Sequence, residues 1–148
     1  MEVKELGHVV LYVRDVDVSR GFYRDVLGWH EVVAEPGQMA MFTSGRTHHE
    51  LLLIEVGPGA APIPAGRRVG MYHFGLKIGT TDDELRSALR QLVDAGVTIV
   101  GTGDHGVTHS MYITDPDGNE IELYIDVQPE AWREDPLAVM APVRPLNL

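Results

Sequence analysis

"YHFGLKIGTTDDELRSALRQLVDAGV", residues 72–97, begins as an apolar strand opened by His73, passes through a polar turn, and ends as an amphipathic helix closed by Gly96. Thr81 and Glu84 have the spacing of a capping box, in which each side chain satisfies a backbone N–H at the start of the helix. Behind them Leu85, Leu89, Leu92 and Val93 form one apolar stripe, so the segment predicts a strand followed by a helix.

The same plan occurs earlier, in "GHVVLYVRDVDVSRGFYRDVLGW", residues 7–29, where Val18, Phe22 and Val26 are the expected apolar stripe. His8 and His73 are 65 residues apart, as are Leu27 and Leu92. Each copy continues into a hairpin: "MAMFTSGRTHHELLLIEV", residues 39–56, turning at Ser44-Gly45, and "HSMYITDPDGNEIELYID", residues 109–126, turning at Asp117-Gly118. The expected organisation is therefore strand, helix and several strands, twice. Module one should cover about 4–56 and module two about 69–126, in a single domain spanning 1–148. The Gly/Pro-rich stretch 57–68 should be a linker without regular structure, and 127–148 a proline-punctuated tail wrapping over the surface or a partner.

Composition narrows the function. The chain has 148 residues, 44% of them hydrophobic, enough for one core. Its N-terminal apolar run is too short for a signal peptide or membrane span, so a cytoplasmic protein without membrane partners is expected. Cysteine is absent, so any metal must be held by histidine and carboxylate. A net charge of −10, with Arg67-Arg68 the one basic pair, opposes nucleic-acid binding and points to small-molecule partners.

The closing strand is the chemically informative one. Alternation puts Glu120, Glu122 and Tyr124 on one face and Ile121 and Leu123 on the other. Glutamates on a solvated strand face are ordinary. Here, however, two histidines at matched positions of a repeat would be related by a pseudo-twofold axis, and a late-strand carboxylate could complete a set of two His and one carboxylate. That set leaves open positions and suits non-haem Fe(II), with Mn(II) as a substitute.

At these residues the chain resembles the vicinal oxygen chelate superfamily, and within it the small extradiol ring-cleaving dioxygenases. The resemblance covers roughly residues 4–127, through "GHVVLYVRD", "FYRDVLGW", "HHELLLIEVG", "YHFGLKI" and "DHGVTHSMYITDPDGNEIELY". It implies an α+β fold of two paired βαβββ modules forming a metal-binding cup, with His8, His73 and Glu122 as ligands to Fe(II) or Mn(II). It also implies catalytic roles for His49 (acid and base), Tyr112 (contact with the substrate) and His105 (support from behind). The implied partners are a catechol-type diol and dioxygen, in a homodimer. Two relatives by resemblance compete. Glyoxalase I-like lyases and acyl-CoA epimerases add a fourth ligand from the last strand of module one, whereas drug-sequestering bleomycin-resistance-type proteins need no catalytic metal.

The fourth-ligand position separates the enzyme branches. Matching Gly45 to Gly118 sets His49 opposite Glu122, and matching "HEL" to "IEL" sets Glu50 there. Neighbouring strand residues face opposite ways, so only one can enter the site. The expectation is His49 inward and Glu50 away. His30 and His48 are expected to be surface or structural residues, His109 either a support or a surface residue, and Met39, Met41, Met71 and Met111 packing residues.

Overall fold

A computed structural model describes all 148 residues, which divide into two compact units, Met1–Ile63 and Pro64–Leu148. No helix is long and apolar enough to cross a membrane.

The first unit runs β1 (Val9–Val13), α1 (Val16–Gly21) continuing into a π-helical turn (Phe22–Val26), β2 (His30–Glu35), β3 (Met39–Thr43) and β4 (Leu51–Glu55). Its sheet has the order β1-β4-β3-β2, with β1 parallel to β4 and the other pairs antiparallel. Asp15 caps α1 by accepting from the backbone N–H groups of Asp17 and Val18, at 3.0 Å each. The expected stripe here needs correction. Val18 is exposed, and the buried residues are Val16, Ser19, Phe22 and Tyr23. The buried face is the one set by Val16, from which Ser19 and Tyr23 follow at i+3 and i+7, and Val18 lies roughly opposite it.

The second unit repeats the order: β5 (His73–Gly79), α2 (Asp82–Asp94), β6 (Ile99–Asp104), β7 (Thr108–Thr114) and β8 (Glu120–Asp126), in a sheet ordered β5-β8-β7-β6 with β5 parallel to β8. Each unit is thus a βαβββ module, and the fold is α+β. The capping box at Thr81 is present in full. Leu85 and Leu92 are buried, but Val93 is 58% exposed, so the apolar stripe of α2 is narrower than expected. On β8 the alternation is clean: Ile121, Leu123 and Ile125 are buried while Glu120, Glu122 and Tyr124 are only partly covered. Replacing the fully buried Ile121 by alanine is expected to cost about 2–5 kcal/mol, read as a lower urea midpoint at unchanged slope.

The turn before β8 is built by Asp115, whose carboxylate accepts from the N–H groups of Asp117 (3.0 Å) and Asn119 (2.8 Å). Gly118 sits there at φ +88°, a conformation costly for any residue with a Cβ. Residues 56–72 contain turns and bends but neither helix nor strand. The tail forms α3 (Pro129–Glu134) and a 3₁₀ turn (Pro136–Met140), then returns along β6, where Asp104 and Arg144 exchange two backbone hydrogen bonds of 2.9 Å.

Candidate functional site

In the second unit, one face of the sheet gathers His73, His105, Tyr112 and Glu122. Tyr112 lies directly across from Glu122 in the β7–β8 register, and Gly75 directly across from it on β5. A Cβ at position 75 would stand 3.3 Å from Tyr124 Cε1 and 3.6 Å from Glu122 Oε2, so glycine there leaves room for the carboxylate.

A hydrogen-bonded chain ends on Glu122. The Tyr112 hydroxyl donates to Glu122 Oε1 at 3.3 Å, and His105 Nε2 lies 2.9 Å from the same hydroxyl. With Tyr112 donating to the carboxylate, His105 donates from Nε2. Burial, reinforced by the Glu122 charge, pushes the Tyr112 pKa up to about 12, so the hydroxyl keeps its proton at neutral pH. A second donor, the hydroxyl of the fully buried Ser110, reaches Glu122 Oε1 at 2.7 Å.

His73 stands between two carboxylates without hydrogen-bonding either. Its Nε2 is 3.4 Å from Glu122 Oε2 and its Nδ1, buried and without a hydrogen-bond partner, is 3.6 Å from Glu120 Oε1. A metal bonded at ~2.1 Å to both Nε2 and Oε2 would hold them roughly 3.0–3.5 Å apart, for angles of about 90–110°. The pair therefore fits two adjacent metal ligands. No group of three or more His, Cys, Asp or Glu side chains is placed to hold a metal ion; of the expected ligands, His8 belongs to the first unit and His73 and Glu122 to the second.

In the first unit, His8 stands just before β1 and its ring packs against His49, with centroids 4.6 Å apart. His49 Nδ1 lies 2.6 Å from His48 Nδ1, so one of the two carries the shared proton, and His49 Nε2 is buried without a partner. Burial, and then the neighbouring rings of His48 and His8, hold the His49 pKa below the ordinary histidine value. Glu50 turns the other way: its carboxylate accepts from the Ser44 backbone and hydroxyl and from Arg46 Nε (3.0 Å), which together hold its pKa low against the opposing effect of burial.

Strand register corrects both proposed matches to Glu122. In the first unit Val9 pairs with Leu51 and Val10 with Leu52; in the second Phe74 pairs with Ile121 and Gly75 with Glu122. With His8 matched to His73, the counterpart of Glu122 is Leu52, and Glu50 corresponds to Glu120. Likewise Met41, across from Leu52, corresponds to Tyr112. Eight residues separate Phe42 from Leu51 but seven separate Ile113 from Ile121, and Gly45 stands early in its loop whereas Gly118 stands late. Neither the turn glycines nor the "HEL" and "IEL" triplets are therefore equivalent.

The remaining histidines fall outside this arrangement. His109 faces away from Ser110 and Tyr112, pairing with Asp82 Oδ1 at 2.6 Å near the start of α2. His30 is exposed at the start of β2. Of the methionines, Met111 is fully buried and Met71 is exposed. Ser110 and Gly75 were not singled out from the sequence. Alternation back from Tyr112 would have placed Ser110 on the Glu122 face, while the role of Gly75 depends on register.

Residues 5–123 match the model of the Glyoxalase/Bleomycin resistance protein/Dioxygenase superfamily. The chain is 34% identical to a catechol-2,3-dioxygenase of Bacillus subtilis (strain 168), over 90% of this chain and 46% of that protein. It is 36% identical to biphenyl-2,3-diol 1,2-dioxygenase 3 of Rhodococcus globerulus, over 82% of this chain and 63% of that protein. The chain thus spans about half to two thirds of the length of these curated relatives. Among solved structures, a lactoylglutathione lyase from Agrobacterium tumefaciens superposes with a TM-score of 0.64 at 27% identity, covering 84% of this chain and 96% of that one.

Proposed function

Given that the chain belongs to the Glyoxalase/Bleomycin resistance protein/Dioxygenase superfamily, we propose that it works as an extradiol dioxygenase on a catechol-type vicinal diol. In this reading His8, His73 and Glu122 hold Fe(II), with Mn(II) as a substitute, and His49, Tyr112 and His105 are catalytic. The reading needs ligands from both units, in one chain or across a homodimer.

The observation that carries it is Leu52. A lyase or epimerase of this superfamily would need a fourth ligand from the last strand of the first module. The position matching Glu122 there is an aliphatic side chain that cannot ligate, and the carboxylate of Glu50 is bound to Ser44 and Arg46. Three protein ligands leave positions open for both substrates. The hydrogen-bonded chain ending on Glu122 supports a catalytic site over a drug-sequestering surface.

A divalent metal held by His8, His73 and Glu122 would supply Lewis-acid and redox chemistry, with positions left open for a diol and dioxygen. The chain's own residues handle positioning and protons. With His49 donating from Nδ1 to His48, its Nε2 is the free lone pair that takes a proton from a diol hydroxyl and later returns it. Tyr112, protonated at neutral pH, has one proton, which turns from Glu122 Oε1 to a diol oxygen when substrate binds and so orients the diol, while His105 Nε2 goes on donating to the hydroxyl oxygen. Both dioxygen atoms enter the product as the ring carbon–carbon bond beside the diol breaks, so no external reductant is consumed.

The test is to load the protein anaerobically with Fe(II) and screen catechols on admission of air. The expected result is a yellow ring-opened semialdehyde with one dioxygen consumed per ring. Turnover of a thiohemiacetal or an acyl-CoA without dioxygen would instead place the chain in the lyase or epimerase branch.

A further inference from the structure

The two oxygens of Glu122 have different surroundings. Oε1 accepts from Ser110 Oγ (2.7 Å) and from the Tyr112 hydroxyl (3.3 Å), whereas Oε2 is turned toward His73 Nε2 at 3.4 Å. Ser110 and Tyr112 lie two apart on β7, on the same face. Tyr112 reaches Glu122 from directly across the strand pair and Ser110 from the diagonal, since Ser110 itself pairs with Tyr124. Ser110 is fully buried and has a single proton to donate, so pointing it at a carboxylate oxygen fixes that oxygen in place. A hydroxyl bonded to a charged acceptor in a shielded strand pair is a strong restraint, and partners of this kind set the orientation of metal ligands.

We propose that Ser110 is a positioning residue for the cation site: its hydroxyl pins Glu122 Oε1, so that the carboxylate presents Oε2 alone to a divalent cation. This rests on the ligand role of Glu122 proposed above. A one-oxygen ligand occupies one coordination position, whereas a carboxylate free to turn can occupy two and block a position needed by substrate. Tyr112 alone cannot impose this, because its hydroxyl is also meant for the diol and makes the longer of the two contacts.

The test uses Co(II), which resists air oxidation and gives visible bands sensitive to coordination number, titrated into the metal-free full chain by calorimetry and absorption. Ser110→Ala is expected to weaken Co(II) binding by about 10–100-fold and to shift the visible bands, the scale on which partners of metal ligands act. Ser110→Thr, which keeps the hydroxyl, should stay within about threefold of the parent. In a Glu122→Ala background the further change Ser110→Ala should alter affinity by less than about twofold, because a residue acting through Glu122 has nothing left to act on.

Ser110→Ala binding within about threefold of the parent would overturn the proposal, as would an equal loss with Glu122 already removed, which marks a merely structural role. If Ser110→Ala does not fold, infrared difference spectra of the Co(II)-loaded parent against Glu122→Gln decide: a wide carboxylate splitting supports one-oxygen ligation and a narrow one overturns it. Unchanged Co(II) binding in Glu122→Ala alone would refute the ligand reading itself, a result separate from any Ser110 outcome.

Discussion

Alanine in place of His49 is expected to slow ring cleavage by about 10²–10⁴-fold while metal content stays unchanged, the scale for losing a positioned acid and base. The expectation follows from the ring's surroundings: Nδ1 faces His48, Nε2 is buried without a partner, and the His8 ring packs alongside. Glu50→Gln is the control. Its carboxylate is occupied in the loop between β3 and β4, so cleavage should stay within about threefold, whereas a lyase or epimerase using Glu50 as its base would lose the 10²–10⁴-fold instead. Iron content and dioxygen uptake with saturating catechol read the first outcome, and anaerobic turnover of a thiohemiacetal or an acyl-CoA reads the second.

Glu122→Ala should have the other large effect. It removes one of three proposed protein ligands and leaves Ser110, Tyr112 and His105 without the acceptor that ends their chain. Metal affinity should fall by more than the roughly 10–100-fold that loss of an outer partner costs, and cleavage should vanish at micromolar iron. Full iron retention in this variant would move the ligand role to Glu120, whose Oε1 is 3.6 Å from His73 Nδ1, or to Glu50.

Where one local rule governed a segment, the sequence was legible. The capping box at Thr81 and Glu84 depends on two side chains and one turn of backbone, and it is present in full. The face-by-face reading of β8 depends on the two-residue period, and the buried Ile121, Leu123 and Ile125 follow it. Segments that no single local rule governed were not. The helix after Asp15 buries Val16, Ser19 and Tyr23, an i, i+3, i+7 set on the face roughly opposite Val18, and nothing in the local pattern says which of the two valine-bearing faces meets the sheet. The hairpin between β3 and β4 holds one residue more between equivalent strand positions than its counterpart, so neither His49 nor Glu50 matches Glu122. Strand register alone identifies Leu52, because no composition or spacing rule singles out one leucine in "LLLIE". Ser110 escaped for a related reason: a buried serine in a strand is informative only once its acceptor is known.

The central claim is that His8, His73 and Glu122 share one ion and that no fourth side chain joins them. Crystals grown anaerobically with Fe(II), with diffraction recorded on both sides of the iron edge, test it directly. One anomalous peak per chain is expected, bonded at ~2.0–2.2 Å to a nitrogen of His8, a nitrogen of His73 and one oxygen of Glu122, with the other positions open to water. A peak that excludes any of the three, or one that includes Glu50, would contradict it.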